Sequence, residues 1–254
     1  MTCESDLRWT SAARTDVGLV RSRNEDAWLA QPGRGLWAVA DGMGGHAFGD
    51  VASNKVTESL ASVAAPQDMA QFVAAASDCI ARVNHELRAE AAARSVAVMG
   101  STVVILLACG PELACLWAGD SRIYLYRQGR LQQLTRDHSQ AEQLRSGGIA
   151  ADGAVPAPGA NLITRAVGAA DALELALATL EARDGDMFLL CSDGLSNAVD
   201  EPAIVEALAS GDCARAAQAL LEQALANGGR DNVTVVVVRA DDVCADKTVV
   251  NPAL

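Results

Sequence analysis

The chain has 254 residues, half of them apolar, and a formal net charge of −12. That length holds one large domain or two small ones, with enough apolar residues for a sizeable core. The acidic balance argues against a nucleic-acid partner, which rewards basic surfaces, and any site handling phosphate anions must offset this field locally with a metal or arginine.

Met1 to Asp6 is acidic and has no hydrophobic signal core. Leu36 to Ala40 reads as a strand running into a loop at Asp41. Asp50 to Ala64 and Gln67 to Ala93 read as an antiparallel helix pair broken at Pro66. In the second helix Phe72, Ala75, Ala76, Cys79, Ile80, Val83 and Leu87 recur at helical spacing. The apolar stretch from Val96 to Cys109 is broken by Gly100, Ser101 and Thr102 and falls short of the about 20 residues that cross a bilayer.

Short strands follow at Thr102–Ala108, Leu113–Ala118, Arg122–Arg127 and Leu131–Leu134, with a hairpin turn at Gln128-Gly129. Ser139 to Ser146 reads as a short helix, and Gly147 to Gly159 as a surface loop without periodicity. Leu173–Leu180 and Met187–Cys191 are expected strands. Asp200-Glu201-Pro202 is a helix start, with a cap and a proline in the first turn. Helices are expected over 201–209 and 212–226, then a buried strand at Val233–Val238 and a polar tail from Asp241 to Leu254. Strand runs separated by helix pairs point to sheet packed on sheet, with helices on the outer faces.

The seven cysteines are scattered, with no Cys-x-x-Cys pair and no Cys-x5-Arg phosphate loop. Zinc, a disulfide framework and cysteine-based phosphate chemistry are therefore not indicated. Most of the cysteines read as small core residues, and the expectation is a soluble, cytoplasmic monomer.

Five stretches place acids beside glycine, arginine or asparagine: Arg21-Ser22-Arg23-Asn24-Glu25-Asp26, Asp41-Gly42-Met43-Gly44-Gly45-His46, Gly119-Asp120-Ser121-Arg122, Ser192-Asp193-Gly194 and Arg230-Asp231-Asn232. Singly, each Asp-Gly is an ordinary turn. Asp41 and Asp193 follow apolar strands, however, and Asp231 precedes one. Carboxylates gathered at one sheet rim repel one another and require a cation, and oxygen-only donors favour Mg²⁺ or Mn²⁺. Two such ions about 3.5–4 Å apart activate a water for in-line attack on a phosphoester. Arg21 could hold two phosphate oxygens at once, and His46 or a metal-held water could protonate the leaving alkoxide. Asp137-His138-Ser139 cannot form a catalytic triad from adjacent positions, and Asp137 or Ser139 is the expected cap of the next helix.

Taken in order, these motifs resemble the metal-dependent serine/threonine protein phosphatases of type 2C, over about residues 8–240 and in the form of the bacterial branch. The resemblance implies an α+β fold, a four-layer αββα sandwich of two central antiparallel β-sheets flanked by helix pairs. It implies one phosphatase domain over 1–240, with a flap at 145–168 beside the active site and a short tail over 241–254. Asp41, Asp193 and Asp231 fall on direct metal-ligand positions, and Gly42 on one that acts through its carbonyl. Glu25 and Asp26 fall on positions that hold metal-bound waters, and Arg21 on the phosphate-binding position. Asp120 matches a carboxylate that, with Asp193, holds a third, weaker ion. Where the eukaryotic branch has histidine directly after Asp-Gly, this chain has Met43, which leaves His46 or water as proton donor.

The implied activity is Mn²⁺- or Mg²⁺-dependent hydrolysis of phosphoserine and phosphothreonine in proteins, opposing a bacterial Ser/Thr kinase, with type VI secretion control as a lead. The alternatives are a catalytically silent phosphoprotein-binding regulator of the same fold and a hydrolase of small phosphoesters.

Overall fold

Alternate residues of the central strands bury against different partners, and that period of two builds the layers. In β3 (Leu36–Met43), Leu36, Ala38 and Ala40 pack toward helices while Trp37 and Val39 pack toward the opposite sheet. Strand β5 (Val103–Cys109) repeats the division, with Val103, Ile105 and Leu107 on the helix side and Val104, Leu106 and Ala108 between the sheets. In β11 (Val233–Asp242), Val233, Val235 and Val237 face a second helix pair, and Val236, Val238 and Ala240 face inward. A strand buried on both faces reads as a continuous apolar run, which is why these segments were recognisable from sequence.

The computed structural model describes residues 7–43, 48–64, 67–146 and 162–243. The remaining strands are β1 (Leu7–Asp16), β2 (Asp26–Gln31), β4 (Gly100–Ser101), β6 (Glu112–Ala118), β7 (Arg122–Arg127), β8 (Arg130–Gln133), β9 (Ala176–Glu181) and β10 (Met187–Cys191). The helices are α1 (Gly49–Ala61), α2 (Met69–Ala93), α3 (Gln140–Ser146), α4 (Asp193–Ser196), α5 (Glu201–Ala209) and α6 (Cys213–Ala226). One sheet runs β1-β11-β10-β7-β8, the other β2-β3-β5-β6-β9 with β4 paired to β3, and all these pairings are antiparallel.

Helices α1 and α2 cover the outer face of the second sheet through Val56, Leu60, Phe72, Ile80, Val83 and Leu87. Helices α5 and α6 cover the first through Ile204, Leu208, Ala217, Leu220 and Ala224. The fold is the expected α+β sandwich. Three of its helices, α2, α5 and α6, start at aspartate caps: Asp68 accepts from the Gln71 amide (2.8 Å), Asp200 from Ala203 (3.1 Å) and Asp212 from Arg215 (2.9 Å).

Strands β1 and β2 were not read from the sequence. Strand β1 is half exposed and mixes Arg, Thr and Ser with its apolar residues, so its period is blurred. Its identity comes from ten residues in register with β11, a partner more than two hundred residues away. Among the described residues, no helix is long and apolar enough to cross a membrane.

The topology sends the acids to one rim. β3 ends at Met43, β10 at Cys191 and β6 at Ala118, while β2 begins at Asp26 and β11 at Val233. Because neighbours run antiparallel, these starts and ends lie at the same edge of the sandwich.

Candidate active site

Asp26 and Asp41 face each other in the β2–β3 register. Asp41 is fixed through its main chain: its amide donates to Thr102 Oγ1 (3.0 Å), and its carbonyl accepts from the Thr102 amide (2.8 Å) and Ser101 Oγ (3.0 Å). Thr102 Oγ1 in turn hydrogen-bonds Ser121 Oγ at 2.7 Å, which links the Asp41 strand to the Asp120 turn. The Asp26 carboxylate accepts from Ser192 Oγ at 2.7 Å through Oδ2, while its Oδ1 is buried without a hydrogen-bond partner. Asp120 Oδ1 is likewise buried and unpartnered.

Asp193 opens α4 and accepts from Asn197 Nδ2 at 3.2 Å. Asp231 lies just before β11; its Oδ1 accepts from the Asn232 amide (2.9 Å) and its Oδ2 from Arg21 Nη2 (2.7 Å). The Arg21 and Asp231 side chains are 55% and 37% exposed, so the pair is a positioning contact at the rim and a weak source of stability.

Close backbone approach makes glycine necessary at Gly42. A Cβ there would fall 2.1 Å from the Gly49 carbonyl oxygen and 2.6 Å from that of Glu25. The Gly42 amide donates to the Glu25 carbonyl at 3.0 Å, which seats the Glu25 segment against the Asp41 turn.

The pKa shifts describe a crowded acid cluster. Burial, then the carboxylates of Asp26 and Asp193, pushes Asp41 well above the usual range. Burial raises Asp26 to about 6 and, with Asp193 next, raises Asp120 to about 7. Asp193 is raised by burial and by Asp231. Desolvated like charges disfavour ionisation, and a bound dication reverses that balance. Two unpartnered buried carboxylate oxygens and an all-oxygen donor set fit a hard cation. Among the described residues, no three acidic, His or Cys side chains form a finished ligand set. Any shell must therefore be completed by water and main-chain oxygen, as small hard cations that keep their waters allow.

Some of the site's residues had no role assigned from sequence. Asn232 is the peg of the Arg21 loop: its Oδ1 accepts from the Glu25 amide (2.8 Å), and its Nδ2 donates to the carbonyls of Val17 and Arg23 (both 2.9 Å). His138 holds the turn before Asp120. Its Nδ1 accepts from the Gly119 amide (3.2 Å), its own amide donates to the Gly119 carbonyl (2.8 Å), and its ring stacks on Trp117. Burial, then Arg165, lowers His138 to about 4, so it is a neutral acceptor at pH 7.

Arg122 forms a bidentate pair with Asp137 at 2.7 to 3.2 Å, and Ser139 Oγ accepts from the Glu142 amide at 3.3 Å as cap of α3. The signal for Asn232 and His138 was weak because their partners are distant in sequence. His46 and residues 147–161 of the expected flap lie outside the described residues.

The sequence profile described as Protein phosphatase 2C matches residues 20–227. The serine/threonine protein phosphatase PstP of Mycobacterium tuberculosis is 41% identical over 233 residues, which cover 91% of this chain and 45% of PstP. The chain thus spans less than half the length of that relative. Among solved structures, PppA, a key regulatory component of T6SS in Pseudomonas aeruginosa, superposes with a TM-score of 0.87 at 43% identity, covering 93% of this chain and 99% of that one. The catalytic domain of PstP in complex with two manganese ions superposes with a TM-score of 0.83 at 40% identity, covering 93% and 100%. The chain belongs to the Protein phosphatase 2C family, and its relatives there are bacterial serine/threonine phosphatases.

Proposed function

We propose that this chain hydrolyses phosphoserine and phosphothreonine in proteins, with Mn²⁺ or Mg²⁺ held at the acidic rim. The observation that supports this most strongly is the convergence of Asp26, Asp41, Asp120, Asp193 and Asp231 at one edge of the sandwich, with two buried carboxylate oxygens unpartnered. Asp41, Asp193 and Asp231, with the Gly42 carbonyl, would hold two ions directly. Glu25 and Asp26 would act through water, and Asp120 with Asp193 would take a third, weaker ion. When bound, such ions supply Lewis-acid charge and an activated water for direct attack on phosphorus.

The chain's own residues do the rest. Arg21, hydrogen-bonded to Asp231, places a guanidinium at the rim where it can bind two phosphate oxygens. Asn232 keeps the Arg21 loop in register with Asp231. His46 is the proposed proton donor to the leaving alkoxide, with water as the other candidate. The working unit is one domain over 1–240 with a flap at 145–168, acting as a cytoplasmic monomer.

Its substrates would be phosphoproteins, including a Ser/Thr kinase and that kinase's targets. The likeness to PppA supports a place in type VI secretion control. The test is phosphate release from a phosphothreonine peptide by the wild type and by Asp193→Ala. Release that survives the substitution contradicts the reading, and peptide binding without release by the wild type leaves the silent regulator instead.

A further inference from the structure

An open cleft of about 490 Å³ is lined by Gly194, Asn197, Ala198, Asn227, Arg230 and Asp231. Its walls are committed: Asn197 Nδ2 donates to Asp193, and Asn227 Nδ2 to the Ala198 carbonyl at 2.8 Å. Its cation is not. Arg21, which does not line the cleft, is hydrogen-bonded to the Asp231 carboxylate. Arg230 is exposed, lines the cleft and has no ion pair among the described residues. The Leu19 amide donates to the Gly229 carbonyl at 2.7 Å, which brings the exposed aliphatic side chains of Leu19 and Val20 to the same region. In a chain of net charge −12, an unpaired guanidinium is a local exception to a field that repels acidic peptides.

We propose that this cleft is a subsite for a carboxylate side chain flanking the phosphoserine or phosphothreonine of the substrate, with Arg230 as the residue that selects it. Asp231 belongs to the proposed ion site and also lines this cleft, so a peptide whose phosphate sits at the rim could extend past Arg230. Leu19 and Val20 would offer apolar contact to the intervening residue. The proposal rests on the phosphatase reading and deepens it.

The test compares kcat/KM for phosphothreonine peptides carrying Asp, Ala or Lys at each flanking position, in wild type, Arg230→Ala, Arg230→Lys and Arg230→Glu. Turnover of p-nitrophenyl phosphate by each variant normalises for changes in the site itself. The wild type is expected to favour Asp over Lys by about two- to five-fold at one flank, the scale of an exposed ion pair. Raising the salt should shrink that ratio. Arg230→Lys should keep the ratio, Arg230→Ala bring it to one and Arg230→Glu invert it. A ratio of one in the wild type, or the same ratio in all four proteins, overturns the subsite while leaving the phosphatase reading intact. No phosphate release from any substrate removes both.

Discussion

Arg21 and Asn232 separate two contributions to the site. Arg21, paired with Asp231 at the rim, is the proposed phosphate-binding cation, so Arg21→Ala should raise KM for a phosphopeptide about 10- to 100-fold, the loss of charge-assisted hydrogen bonds. Steady-state kinetics with Mn²⁺ in excess check this, and an unchanged KM would count against the assignment. Asn232 touches no proposed ion position through its side chain; it bonds the main chain of Val17, Arg23 and Glu25. Asn232→Ala leaves those groups unpartnered and should destabilise the protein by about 1–3 kcal/mol, read by urea denaturation. Asp41, Asp193 and Asp231 were visible in the sequence because each adjoins an apolar run and two of them precede glycine. The roles of Asn232 and His138 were not, because what they do is defined by groups that only the fold brings near.

The elements owe their visibility to burial. Met187–Cys191 is buried throughout and its bounds were read correctly, whereas β1 is half exposed and was missed. α4, four residues long, is too short to show a helical period, and it is the turn that positions Asp193. At the far end of the sheet, Arg127 pairs with the buried Asp186 at 2.6 and 2.7 Å. Removing one partner strands the other, so Arg127→Ala should cost about 3 kcal/mol in chemical denaturation with phosphopeptide KM unchanged. The cap at Asp212 is a smaller contribution: Asp212→Ala should lower stability by about 1 kcal/mol.

Over the whole molecule, the acid rim couples folding to pH and to cations. Asp26 at about 6 and Asp120 at about 7 are raised above the ordinary value of 3.8. Raised carboxylates bind more protons folded than unfolded, so without divalent cation stability should fall as pH rises from about 4 to 7. Mn²⁺ or Mg²⁺ at the proposed site should stabilise the ionised rim and raise Tm more at pH 7.5 than at pH 5. A thermal melt that ignores both pH and cation would contradict this coupling. The layered architecture was legible because its strand and helix patterns are strong. The joining of five scattered motifs into one rim followed from that architecture together with the family resemblance.

Hydrolysis of phosphoprotein at this rim is proposed to require bound divalent cations. The most direct test strips the protein with EDTA, removes the chelator and follows phosphate release from a phosphothreonine peptide before and after Mn²⁺ is restored. The stripped protein should release no phosphate, and release should recover with Mn²⁺. Equal release with and without the cation would contradict it.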